Sequence, residues 1–351
     1  MKSLKYAFLD IQESNNIAII AHTMPDADAL ASAVALKKLI KQNISDADQK
    51  QIDIFVDAEE INDINGAIVK GVEMNTEHVQ QYDLAISVDC STLQRMGKYS
   101  EIFTSAKKTL NIDHHITNEN FAYNNIVLKT SSTCEALYIL AKIKQLTISD
   151  DVCRLVYAGI ITDTNNLTQG TITVQTHKII TEMVERKINI DALNEHFFKN
   201  NTKSKAYLLK QALDSLTFIA GDRIAFMKLT KQDLSECNAT NEDTFGIVNH
   251  GIEIKGVDIA ILAIKQEDNS YYVSLRGKNS VNVANVATAL GGGGHEQVAA
   301  FTYNGLLADL KEQLIKECKK ELASHPEQNI MDNLFGGDDE DLKDQKIWAQ
   351  H

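Results

Sequence analysis

Positive charge is scarce in this chain: 35 Lys and Arg stand against 48 Asp and Glu, a formal balance of −13. That deficit argues against a protein that grips long nucleic acid or duplex through a general basic surface, because such affinity comes from lysine and arginine neutralising phosphates. A short anionic ligand captured in one local site stays open. Cysteine is sparse too. Cys90, Cys134, Cys153, Cys237 and Cys318 are odd in number, scattered and free of any C-x-x-C spacing. Neither a disulfide framework nor a thiolate zinc site is indicated, and reduced core residues are expected. Long apolar runs are missing: stretches such as 17–21 and 259–264 fall far below the roughly 20 residues that a membrane helix needs. The opening MKSLKYAFLDIQ carries charge instead of the apolar core of a signal peptide, so a cytoplasmic protein with no membrane partner is expected. Proline occurs only twice, and Pro25 lies in HTMPDADALAS, directly after an apolar run.

What is present suffices for two compact domains, since 351 residues at 44% hydrophobic can bury a sizeable core in each. Short β-like runs at 16–21, 51–56, 83–88 and 108–112 alternate with helical patterns, the reading for an α/β domain around a mostly parallel sheet with helices on both faces, over 1–185. Ala29, Ala33, Leu36 and Ile40 recur at helical spacing, which puts the HTMPDADALAS segment at a turn from strand to helix, where such folds place ligands. Residues 186–216 read as a polar helical connector. A second alternation at 222–229, 256–266 and 270–276, then VANVATAL and four glycines, predicts a smaller α/β domain over 217–324. The stretch 325–351, with GGDDEDLKDQ, reads as an acidic mobile tail.

The chemistry lies at the ends of the apolar runs. The first run ends in His22, with Asp26 and Asp28 in the next turn. The run 83–88 ends in Asp89, the run 108–112 in Asp113, His114 and His115, and LVYAGIIT in Asp163, which reads as a helix end. Alone, an aspartate after a strand is a turn or N-cap residue and a histidine is a core-edge residue; repetition at equivalent positions makes the case. Parallel neighbouring strands would bring these side chains to one edge. His22, Asp26, Asp28, Asp89, His114 and Asp163 are more ligands than one ion needs, so two divalent cations are implied, with Asp89 as the carboxylate shared between them. Carboxylate and imidazole without thiolate favour Mn²⁺, or Mg²⁺, over structural zinc. In an extended chain His114 and His115 would point to opposite faces, one to a cation and one to substrate, and Asp113 would fix the tautomer of one ring.

This set, His22-x-x-x-Asp26-x-Asp28, Asp89 in SVDCS, Asp113-His114-His115 and Asp163 in GIITDT, resembles the four motifs of the DHH phosphoesterases. The resemblance implies that His22, Asp26 and Asp89 hold one metal, that Asp28, Asp89, His114 and Asp163 hold the other, that His115 contacts substrate phosphate and that Arg95 lies near substrate. SLRG (274–277) followed by GGGGHEQVAA (291–300) resembles the DHH-associated domain of oligoribonucleases, nanoRNases and RecJ-type exonucleases. Arg276, Gly291, Gly292, Gly293, Gly294 and His295 would then bind substrate, the glycines aiming N–H groups at an anion. Ala31, Asn165, Gly277 and VAAF depart from the usual residues, none of them a metal ligand. The implied activity is metal-dependent hydrolysis of short oligonucleotides, linear dinucleotides such as pApA or adenosine 3′,5′-bisphosphate, in an enzyme whose relatives are often homodimers. The alternatives are a cyclic-dinucleotide phosphodiesterase or single-strand DNA exonuclease of the same family, and a catalytically silent nucleotide-binding regulator.

Overall fold

The structure, a computed structural model, describes residues 2–324 apart from 77, 78, 80, 267–269 and 279; the side chains of residues 2–5, 60 and 295 also lie outside the description. The expected tail over 325–351 is therefore outside the described residues. The chain divides into two units, 1–200 and 201–351.

Unit 1 is built on five parallel strands, β1 (Asn16–Ile20), β2 (Gln51–Phe55), β3 (Leu84–Val88), β4 (Lys108–Asp113) and β5 (Asn124–Val127), in the order β2-β1-β3-β4-β5. Its helices are α1 (Lys2–Glu13), α2 (Ala27–Asn43), α3 (Asp63–Gly66), α4 (Ser100–Ser105), α5 (Thr133–Ile143), α6 (Asp150–Asp163), α7 (Val174–Glu185) and α8 (Ile190–Phe198). The strands are short continuous apolar runs because both sheet faces are covered. In β1, Ile17 and Ile19 pack into the cluster shared with α2 and α5, while Ala18 and Ile20 join Met96 and Phe103 on the opposite face. The chain runs from β1 to β2 on one side, then returns to set β3 on the other side of β1. The strand order thus switches direction between β1 and β3, the place where open α/β sheets leave a crevice at their carboxyl ends. Half of the buried side chains of α2 are small, Ala27, Ala29, Ala31, Ser32, Ala33 and Ala35, which lets α5 and α6 approach closely.

Unit 2 starts with α9 (Lys203–Asp214), so the stretch 186–216 is two helices, α8 in one unit and α9 in the other. Its sheet holds β6 (Thr217–Ile219), β7 (Ile224–Leu229), β8 (Ile259–Lys265), β9 (Ser270–Gly277), β10 (Gly293–His295) and β11 (Val298–Asn304), in the order β10-β11-β9-β8-β7-β6. Among its described strand pairs β7–β8 is parallel and the others are antiparallel. With α10 (Lys231–Glu236), α11 (Ile247–Ile252), α12 (Val283–Ala289) and α13 (Leu307–Ser324), it has helices on both faces: Ile261 and Val273 pack with α12 and α13, Ala260 and Leu262 with α9 and α11. All five cysteines are free and buried. Among the described residues no helix is long and apolar enough to cross a membrane.

Candidate metal centre

Two residues beyond β1 the chain buries His22, which is 3% exposed. Its Nδ1 lies 2.6 Å from the Thr23 carbonyl and 3.2 Å from the Arg95 guanidinium. A carbonyl only accepts, so the shorter contact makes Nδ1 the donor and turns Nε2 toward the carboxylates; Arg95 lies beside the ring as a fixed positive charge. The Arg95 carbonyl in turn accepts from the Thr23 amide at 2.7 Å, which ties the two loops together. Asp26 is the N-cap of α2, accepting from the Ala29 amide at 3.0 Å through Oδ1, while its Oδ2 lies 3.9 Å from His22 Nε2. Asp28 follows in the first helical turn, where the helix dipole favours a carboxylate. It is 1% exposed and accepts from two backbone amides of α5, Thr133 at 2.7 Å and Cys134 at 3.0 Å. Gly159 makes room for it: a Cβ there would stand 2.3 Å from Asp28 Oδ1.

Asp89 is the first residue past β3 and adopts φ 55°, a left-handed conformation that aspartate tolerates better than most residues. Its Oδ2 lies 3.6 Å from His22 Nε2, its Oδ1 3.5 Å from His114 Nε2 and 3.7 Å from His115 Nδ1. Asp163 closes the set from the last position of α6, with Oδ2 3.3 Å from His114 Nε2. A carboxylate is disfavoured at a helix C-terminus, so this placement is made against the local dipole.

β4 ends at Asp113, so His114 and His115 lie past the extended strand and do not diverge to opposite faces: their ring centroids are 4.5 Å apart. Asp113 is fully buried; its Oδ1 accepts from the His114 amide at 2.8 Å and from His115 Nδ1 at 2.7 Å, and its Oδ2 from Asn118 at 2.5 Å. The ring that Asp113 anchors is therefore His115. His114 Nδ1 faces the Thr130 carbonyl at 3.4 Å instead.

Crowding the carboxylates perturbs the titration of Asp28, Asp89, His114 and Asp163. Burial and the Asp89 charge push Asp28 up to about 7, and burial with Asp28 pushes Asp163 up to about 9. Burial opposes protonation of His114, but Asp89, Asp163 and Asp28 outweigh it and raise the ring to about 9. For Asp89 burial is outweighed in the other sense: the His22 hydrogen bond and the His114, His22 and His115 charges hold its carboxyl well below the usual range. Buried carboxylates crowded in this way cannot all stay ionised together, and bound cations supply the charge balance that such a cluster calls for.

The donors fit metal ions. Among the described residues three groups have ligand atoms within 4.8 Å of one another: His22, Asp26 and Asp89; Asp28, His114 and Asp163; and Asp89, Asp113, His114 and His115. Both His22 and His114 turn Nδ1 to a backbone carbonyl and Nε2 inward, the orientation usual for a histidine ligand. The structure thus brings His22, Asp26, Asp28, Asp89, His114 and Asp163 together, with Asp113 and His115 against Asp89 and Arg95 against His22. Sequence reasoning missed Thr133, Cys134, Gly159 and Asn118. An isolated glycine inside the helical pattern of 155–163 was the one signal that could have been found.

In unit 2, Arg276 lies on β9, with Nε donating to Asn249 at 2.9 Å and a terminal nitrogen to the Leu275 carbonyl at 3.0 Å. Gly291 adopts φ 85°, and its amide and that of Gly292 donate to the Thr288 and Ala287 carbonyls at 3.1 and 2.8 Å, closing the end of α12. Gly292 and Gly294 approach β11 so closely that a Cβ would fall 2.3 and 2.4 Å from the Ala300 and Val298 carbonyls. Gly293 pairs with Ala300, and His295 pairs with Val298, which pairs on its other side with Arg276; the His295 side chain lies outside the description.

Two family models match the chain: "DHH family, N-terminal domain" over residues 16–160 and "DHHA1 domain" over 221–324. A Streptococcus mutans protein named "Probable bifunctional oligoribonuclease and PAP phosphatase NrnA" is 27% identical over 300 residues, 84% of this chain and 92% of the relative. A Mycoplasma genitalium protein named "Bifunctional oligoribonuclease and PAP phosphatase NrnA" is 25% identical over 90% of this chain and 98% of its own length. Among solved structures, an exopolyphosphatase-related protein from Bacteroides fragilis superposes with a TM-score of 0.79 at 20% identity, covering 93% of this chain and 98% of that one. RecJ from Thermus thermophilus, solved in complex with Mn²⁺, has a TM-score of 0.59 at 12% identity, covering 93% of this chain and 55% of its own. At these identities the structures speak for the fold alone.

Proposed function

We propose that this chain, whose residues 16–160 match the N-terminal domain of the DHH family and whose residues 221–324 match the DHHA1 domain, is a phosphoesterase working with two divalent cations. Its proposed substrates are short oligonucleotides, linear dinucleotides such as pApA and adenosine 3′,5′-bisphosphate. The single observation that carries this reading is Asp89, whose Oδ2 faces His22 and whose Oδ1 faces His114, those two imidazoles each belonging to its own carboxylate group. His22, Asp26 and Asp89 would hold one cation; Asp28, Asp89, His114 and Asp163 would hold the other, with Mn²⁺ favoured and Mg²⁺ second. When bound, such a pair acidifies water and neutralises charge on phosphoryl oxygens.

The chain's own groups then have separable tasks. Asp113 anchors the Nδ1 side of His115, and Nε2 of that ring is the atom we assign to a substrate phosphoryl oxygen. Arg95, fixed beside His22, contributes positive charge for the same anion. Arg276, Gly293, Gly294 and His295 are assigned to the nucleotide portion, while Gly291 and Gly292, whose amides close α12, shape the turn that leads to them. The acidic body fits short substrates better than long strands, since a long backbone would be repelled outside the local site. The names of the Streptococcus and Mycoplasma relatives agree with this substrate class.

The test is a product time course on labelled RNA and DNA of two to twenty nucleotides, pApA, a cyclic dinucleotide and adenosine 3′,5′-bisphosphate, with Mn²⁺ or with EDTA. The expected result is Mn²⁺-dependent turnover fastest on the shortest RNAs, pApA and the bisphosphate. Faster turnover of the cyclic dinucleotide or of long DNA would replace the substrate assignment. Tight nucleotide binding with no turnover in excess Mn²⁺ would replace the enzyme with a silent regulator.

A further inference from the structure

At the start of α5, Ser132 caps the helix by accepting the Glu135 amide, so the first two helical residues, Thr133 and Cys134, present their own amides outward from the helix end. Both amides are taken by Asp28, at 2.7 and 3.0 Å. The Thr133 hydroxyl does something different: it donates to Asp89 Oδ1 at 2.9 Å. Thr133 is fully buried, and one residue therefore holds carboxylates from α2 and from the end of β3. The contact falls on the Asp89 oxygen that faces His114, while the other oxygen faces His22. A carboxylate turns easily about its Cβ–Cγ bond. A hydroxyl donating to one oxygen removes that freedom.

We infer that Thr133 is a positioning residue of the metal centre: its hydroxyl locks the plane of the Asp89 carboxylate so that one oxygen faces each group of donors, while its amide holds Asp28 beside them. The inference rests on the two-cation reading above. Thr133 touches no reacting atom and acts only through the carboxylates that it holds.

Thr133→Val removes the hydroxyl and keeps both the amide and the β-branched shape; Thr133→Ser keeps the hydroxyl. The full chain is titrated calorimetrically with Mn²⁺ alone, and the bound ions are read by electron paramagnetic resonance for coupling between paired manganese. The parent should take up two coupled ions. Thr133→Val should lower the affinity of the weaker ion by about 10- to 100-fold, the usual cost of losing a partner that orients a ligand, and should lose the coupling. Thr133→Ser should stay within about threefold of the parent. Thermal melts in EDTA check that each variant is folded, and Thr133→Ala repeats the hydroxyl deletion without the bulk of valine. Unchanged affinity and coupling in folded Thr133→Val or Thr133→Ala overturns the inference. If the parent itself binds a single ion, the two-cation reading fails, and the affinity ratio of Thr133→Val to Thr133→Ser for that ion still decides whether the hydroxyl orients Asp89.

Discussion

The two sheets use their strand ends differently. In unit 1 every strand points the same way, so residues just past β1, β3 and β4, far apart in sequence, arrive at one edge. In unit 2 the strands mostly alternate, and what meets is set by register: Arg276, Val298 and His295 share one line across β9, β11 and β10. The first arrangement concentrates like charges in a buried space, which makes strong chemistry and high local cost. The second lays out a surface of backbone and isolated side chains, suited to recognition. If this division is right, damage to unit 1 should appear in kcat and cation binding, and damage to unit 2 in KM.

The largest effect should come from Asp89→Asn, which keeps the shape but removes the charge that both imidazole groups address. We expect a fall in kcat of about 1000-fold or more, together with loss of at least one bound Mn²⁺ in a calorimetric titration. A variant that retains a tenth of the parent's turnover would dissolve the idea that one carboxylate organises the site.

Next come two glycines with the same clash and different consequences. In Gly159→Ala the new Cβ would stand 2.3 Å from Asp28 Oδ1; in Gly292→Ala it would stand 2.3 Å from the Ala300 carbonyl. Each should cost about 1–3 kcal/mol in stability, as overpacking does, read in urea melts. Only Gly159→Ala should also weaken Mn²⁺ binding, by about 10- to 100-fold. Equal loss of cation affinity in both variants would erase the distinction between the units.

Why the site was readable and its scaffold was not follows from where identity resides. His22, Asp89, Asp113 and His114 stand at the ends of apolar runs, and a polar side chain in that position is visible in one dimension. Asp163 could be read as the end of a helix for the same reason. The Thr133 and Cys134 amides that hold Asp28 lie more than 100 residues away from it and carry no side-chain identity at all. β5 is NNIV, too short and too polar to register as a strand, and β10 opens on two glycines that read as loop. The glycine run was expected to aim amides at an anion, whereas the Gly291 and Gly292 amides close α12. Backbone groups are interchangeable in sequence and become distinct only once folded. The divergence of His114 and His115 failed for a related reason: alternation holds within a strand, and β4 stops one residue earlier.

A smaller effect separates the units by pH. With cations removed by EDTA, Asp28 and Asp163 have folded values raised to about 7 and about 9, and His114 is raised to about 9. Each raised group binds more protons folded than unfolded, so it adds stability that is complete below its unfolded value and is lost as pH rises through its folded value. Asp89 runs oppositely, but its contribution is already complete above the ordinary carboxylate range. The cation-free protein should therefore lose at least about 1 kcal/mol between pH 4 and 9, in the transition that follows unit 1. Saturating Mn²⁺, by replacing those protons, should flatten the profile. A slope that Mn²⁺ leaves unchanged would place its origin outside the cluster.

The smallest effect tests unit 2 on its own ground. Arg276→Lys keeps a positive charge but loses the planar fork that donates to Asn249 and to the Leu275 carbonyl at once. If Arg276 only holds the nucleotide portion, its contribution is equal in the ground and transition states, so KM should rise about 3- to 10-fold with kcat within about twofold. Turnover of pApA and of adenosine 3′,5′-bisphosphate should be compared, because a contact to a second nucleotide affects only the former. A fall in kcat at constant KM would mean that this arginine acts in the transition state, and the assignment of chemistry to one sheet and recognition to the other would have to be given up.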